Sequence, residues 1–86
     1  MSNIKLGEPV LKLVNKVYTP NDMISLKFGR YDLALKTDNQ GRGILLFMGR
    51  KNDKGDVTGE RYARRIAENE EGNLIKDYWE HKGKAT

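Results

Sequence analysis

Gly43-Ile44-Leu45-Leu46-Phe47-Met48-Gly49-Arg50-Lys51 holds the one unbroken apolar run, Ile44 to Met48, in a chain where 33% of residues are charged. Five apolar side chains in succession, with glycine on both sides and turn-type residues beyond, fit a strand buried on both faces better than a helix. On either side of this strand, and once more further on, the same turn signal recurs: Asp38-Asn39-Gln40-Gly41, Asn52-Asp53-Lys54-Gly55 and Asn69-Glu70-Glu71-Gly72. Each begins with Asp or Asn, whose side chain can cap the turn. Each ends with Gly, where a type I turn followed by a bulge needs positive φ. Three such hairpins predict a four-stranded antiparallel meander over 30–82, with strands at Arg30–Thr37, Arg42–Lys51, Asp56–Glu68 and Asn73–Lys82.

This turn geometry pairs the first turn residue with the one four later, which fixes an expected register. Arg65 then faces Asp77 and Glu60 faces Lys82, opposite charges across strands. One face collects Tyr31, Leu33, Leu35, Leu45, Phe47, Ala63, Ala67, Ile75 and Trp79, with Arg61 beside His81 at its margin. That is the expected core face. The other carries Ile44, Leu46, Met48, Tyr62, Arg64, Ile66 and Tyr78, bordered by Asp32, Lys36, Glu60, Lys76 and Glu80.

Ahead of the meander, residues 1–8 read as a loose leader and Pro9 as a first helical residue. Val10, Leu11, Leu13, Val14, Val17 and Tyr18 give the stripe of an amphipathic helix over 9–18, despite three β-branched valines. The segment 20–29 reads two ways. Thr19-Pro20-Asn21-Asp22 resembles a helix start with Gly29 closing a turn, whereas Ile24, Leu26 and Phe28 alternate as a strand would. The expectation is therefore one small α+β domain over 1–86, mainly β: a four-stranded meander with the N-terminal helix packed on one face.

Composition excludes several function classes. With 86 residues the chain buries only about 60% of its unfolded surface, which leaves little room for a deep active site. There is no cysteine, hence no disulfide framework, thiolate metal site or thiol nucleophile. No apolar run approaches a membrane span, and Met1-Ser2-Asn3 does not begin a signal peptide, so the cytoplasm is the expected location. The formal charge of +4 divides as +3 up to Gly43 and +1 beyond, a weak pull toward polyanions.

The single histidine, His81, has no convergent ligands or nucleophile in its sequence neighbourhood, and the acidic pairs sit in turns without the spacing of a calcium loop. Gly41-Arg42-Gly43 and the terminal Lys82-Gly83-Lys84 lack the further glycines of a phosphate-cradling loop. No enzyme activity, cofactor or metal is expected. What remains is a binding face: Ile44, Leu46, Met48, Tyr62, Arg64, Ile66 and Tyr78 form an apolar patch with one aromatic–cation cluster. A single short helix cannot cover two sheet faces, so this patch predicts a protein partner or a homodimer, unless 20–29 fold across it. The alternative is single-stranded nucleic acid, with Tyr62 and Tyr78 stacking on bases and Arg64, Arg50 and Lys36 meeting phosphates.

Overall fold

All three repeated turns close as their residues require. In the computed structural model, which describes residues 6–85, each turn glycine donates its N–H to the carbonyl three residues back: Gly41 to Asp38 at 3.1 Å, Gly55 to Asn52 at 3.0 Å and Gly72 to Asn69 at 3.0 Å. The side-chain oxygen of Asp38, Asn52 or Asn69 accepts from the N–H groups two and four residues later at 2.9–3.0 Å. The glycines sit at φ +82°, +87° and +84°, where a side chain would be strained.

The chain runs α1 (Glu8–Val14), β1 (Met23–Phe28), β2 (Tyr31–Thr37), β3 (Gly43–Lys51), β4 (Val57–Glu68) and β5 (Leu74–Ala85). The strands form one antiparallel sheet in chain order. There are thus five strands and not the four expected. The additional one is β1, from the ambiguous 20–29 segment: its Ile24, Leu26 and Phe28 alternation wins, and it extends the sheet edge without capping a face. A two-residue Gly29-Arg30 turn, with Gly29 at φ +60°, joins it to β2. The residues that resemble a helix start anchor this strand instead. Thr37, 2% exposed, donates its hydroxyl to the Thr19 carbonyl (2.6 Å) and accepts from the Asp22 N–H (2.9 Å), while the Thr37 N–H donates to the Asp22 carbonyl.

The helix is shorter than its apolar stripe suggests. It ends at Val14 with Asn15 as C-cap. Val17 and Tyr18 leave it to pair with the β2–β3 turn: Val17 bridges Arg42, the Tyr18 N–H donates to the Gly41 carbonyl (2.8 Å), and the Tyr18 hydroxyl donates back to the Leu13 carbonyl (2.7 Å). A β-branched residue that can join a ladder gains more there than on a helix end. Val17 is consequently 70% exposed and not part of the core. Glu8 belongs to α1, and the leader expected over 1–8 otherwise falls mostly outside the described residues.

The expected register holds between β3 and β4, from Lys51 opposite Val57 to Leu45 opposite Ala63. It slips by one residue at three bulges elsewhere. In β2–β3, Thr37 faces Gly43 but Lys36 faces Leu45, leaving Ile44 unpaired. In β4–β5, slips occur at Ala67/Glu68, where Ile75 is extra, and at Arg61/Tyr62, where Lys82 is extra. A slip of one residue exchanges the two faces of a strand. The core face therefore joins Ile24, Leu35, Leu46, Tyr62 and His81 in one cross-strand row and Leu26, Leu33, Met48 and Glu60 in the next. Val10 and Val14 of α1 close over it, with Leu33, Leu35 and Leu46 fully buried and Tyr62 2% exposed. Leu45, Phe47 and Ala63, expected beneath the helix, lie on the uncovered face.

Candidate functional site

The uncovered face can be assembled row by row. Met23, Lys36, Leu45, Ala63 and Glu80 stand opposite one another across all five strands; Ser25, Ala34, Phe47 and Arg61 form the next row, and Lys27, Asp32, Gly49 and Gly59 the one after. By alternation the same face continues through Arg65 with Tyr78, Ala67 with Lys76, and Lys51 with Val57. It carries six cations, Lys27, Lys36, Lys51, Arg61, Arg65 and Lys76, against two carboxylates, Asp32 and Glu80. That excess equals the whole formal charge of the chain, +4.

Both carboxylates are already engaged. Asp32 accepts from the Lys51 backbone N–H (3.1 Å) and lies 3.7 Å from Lys27 Nζ, and these contacts, the backbone hydrogen bond foremost, hold its carboxyl below the usual range. Glu80 is held low by Arg65 (2.7 Å) and then by Lys82 (3.1 Å). Lys36, Lys51, Arg61 and Lys76 have no carboxylate within ion-pair distance among the described residues. Four cations of this face are thus free to meet an external anion.

A concavity of about 430 Å³ opens on this face, lined by Phe47, Met23 and Ala34 with Ser25, Lys51 and Thr58 at its polar margin. The turn residues Asn52, Gly55 and Asp56 also line it, so the β3–β4 hairpin arches back over the sheet. Gly49 and Gly59, paired across the strands, permit the arch: a Cβ on Gly49 would run into the Thr58 carbonyl oxygen, and one on Gly59 into that of Met48. Val57, at the start of β4, is 9% exposed and lines the same concavity.

The binding face expected from sequence is divided by the bulges. Leu46 and Tyr62 are buried under α1, Met48 packs against them, and Ile44 and Ile66 are half-buried. Arg64 makes a two-pronged ion pair with Asp77 (2.6 and 2.7 Å), donates to the Gly43 carbonyl (3.3 Å) and lies 5.9 Å from the Trp79 ring centre. Its hydrogen bond keeps the Asp77 carboxyl well below the usual range. Of the seven residues only Tyr78, 46% exposed, belongs to the open face. The residues alone place Phe47 in the core and Arg61 at its margin, whereas both stand on the open face. No local signal marks a bulge at Ile44 or Ile75, although Gly43, where a Cβ would meet the Leu35 side chain at 2.6 Å, hints at the first.

On the helix side a second cleft of about 590 Å³ lies between α1 and β5, lined by Leu6, Leu11, Asn15, Tyr62, Trp79 and His81. The Trp79 indole N–H donates to Asn15 Oδ1 (2.9 Å), and His81 Nε2 contacts Glu60 Oε1 at 2.5 Å. This is an acid–base pair, yet no hydroxyl hydrogen-bonds to His81 among the described residues, as nucleophilic chemistry would require. Burial, and then Glu60, pushes the Tyr62 phenol up. Among the described residues there is no group of three His, Cys, Asp or Glu able to hold a metal, and no helix long and apolar enough to cross a membrane. No protein-family model, curated protein or solved structure matches the chain.

Proposed function

We propose that this chain is a small, non-enzymatic binding module that holds single-stranded nucleic acid on the open face of its sheet, without cofactor or metal. The observation that carries the reading is the excess of cations on the open face, six against two carboxylates. Arg61, Lys36, Lys51 and Lys76 stand there around Phe47 and Tyr78 without an ion-pair partner among the described residues. A sheet face that displays rings among cations suits a flexible strand: each base offers a π-face to stack, and Arg and Lys meet the phosphates between. The slot beside Phe47 has the aromatic wall, the Ser25 hydroxyl and the Lys51 ammonium that one unstacked base with its phosphate would use, with Asp56 of the turn at its rim. A cytoplasmic location goes with this reading.

The test is fluorescence anisotropy of labelled single-stranded oligonucleotides at low salt. Binding that weakens steeply with salt, and that Tyr78→Ala reduces by roughly 1–3 kcal/mol for a lost stack, is the expected result. Flat titrations into high micromolar protein would refute it. Self-association, the other expectation from the sequence, finds its support at the free edge of β5, since α1 covers Leu46 and Tyr62 of the face expected to pair.

A further inference from the structure

We infer that β5 is a homodimerisation edge, pairing antiparallel with β5 of a second copy in the register centred on Tyr78. The meander leaves two edges. One is β1, with 6 residues; the other is β5, with 12, and no element among the described residues pairs with its outer side. Long unpaired edges offer a row of N–H and C=O groups to another strand and are normally kept short or bulged. Here the bulges at Ile75 and Lys82 leave Lys76 to His81 regular between them. Exposed apolar side chains gather at this same edge: Leu74 at 55%, Ile75 at 66% and Tyr78 at 46%.

The occupant follows from charge. A two-fold axis perpendicular to the sheet keeps the faces of both copies aligned, so only residues of the same face stand opposite each other. Centred on Tyr78, the pairing sets Lys76 against Glu80 of the other copy twice and the two Tyr78 rings against each other, the combinations that favour cross-strand pairs. Lys76 has no carboxylate partner within its own chain among the described residues. A shift to Trp79 as centre would set Lys76 against Lys82, and a shift to Glu80 would oppose two Glu80 carboxylates. The charges that protect this edge from foreign strands thus select one register of self-pairing. The dimer joins two open faces into one surface on which Lys36, Lys51 and Arg61 of each copy stay free while Lys76 turns to Glu80.

The test needs no nucleic acid and so stands or falls apart from the proposed function. Sedimentation equilibrium of the full chain from micromolar to millimolar concentration should show the mass rising from 9.8 kDa toward twice that value. Lys76→Glu and Glu80→Lys, each folded by far-UV circular dichroism, should each dimerise about tenfold more weakly, and an equimolar mixture should recover dimer, because both contacts become attractive again. Amide exchange along Lys76–Glu80 should slow with concentration in the wild type. A wild-type mass of one chain throughout overturns the inference, as does tighter association of Lys76→Glu, the signature of the register centred on Trp79. Failure of the mixture to recover dimer also overturns it.

Discussion

Truncating Arg61 to alanine should remove one phosphate contact and leave the fold intact, because Arg61 is exposed and has no partner within ion-pair distance among the described residues. Four such cations lie on the open face of the single chain, at the submicromolar concentrations of an anisotropy experiment: Lys36, Lys51, Arg61 and Lys76. For a single strand, each neutralised phosphate contributes about −0.7 to the slope of log K against log salt, so the wild type should show about −2.8. Between about 50 and 200 mM salt its affinity should fall roughly 50-fold. Arg61→Ala should lower the slope to about −2.1, costing about eightfold in affinity near 50 mM and only about threefold near 200 mM. The convergence of the two curves at high salt is the signature, and anisotropy titrations across a salt series read it directly. Lys12→Ala, on α1 and away from this face, removes the same charge and should change neither slope nor affinity. Equal effects of Arg61→Ala and Lys12→Ala would refute the reasoning, since binding would then answer to net charge and not to the face.

Leu46→Ala should cost about 2–5 kcal/mol in urea unfolding, because this fully buried side chain stands between Leu35 and Tyr62 across strands in the core. Gly49→Ala should cost about 1–3 kcal/mol, since its new Cβ would collide with the Thr58 carbonyl, and should open the slot beside Phe47. Gly55→Val should cost more than about 1 kcal/mol, a β-branched residue at φ +87° being strained even with open space around it. Asp77, lowered by its hydrogen bond from Arg64, contributes stability that is complete above its unfolded pKa and fades as pH falls toward the folded value. Wild type should therefore lose more stability than Asp77→Asn between about pH 5 and pH 2, measured as urea midpoints.

What could be read from the residues divides along a physical line. Turns are local: an Asx side chain and a glycine three residues on set the hairpin by themselves, so three turns and the β3–β4 register are legible without tertiary information. The central strand is legible for a similar reason, since nothing but burial explains five apolar residues in a row. The end of α1 is not, because it depends on Val17 and Tyr18 finding partners in a turn more than twenty residues away. For β1, local signals conflicted. Its strand alternation was visible, but the Thr19–Asp22 residues carry a capping signal that the fold spends on Thr37 instead.

The bulges shift the register along β5 in a way that opposite charges across strands do not reveal. Pairing Arg65 with Asp77 looked sound because the charges were opposite, yet the chain pairs Arg64 with Asp77 and Arg65 with Glu80. Cations stand at 64 and 65 and carboxylates at 77 and 80, so a slip of one residue trades one favourable pair for another and charge cannot detect it. Apolar patterning could. The slip moves Tyr62 and Ile66 to the helix side and sends Phe47 and Leu45 outward, exchanging one plausible core for another only because both faces of β3 are apolar. The same strand that organises the sheet therefore hides which of its faces is covered, and the site with it. Once the bulge at Ile44 sets the face, Glu60 and Asp77 fall on the helix side of the sheet and Arg61 and Lys36 on the open side, so the cation excess of the open face follows from a single unpaired residue in β3 and two in β5.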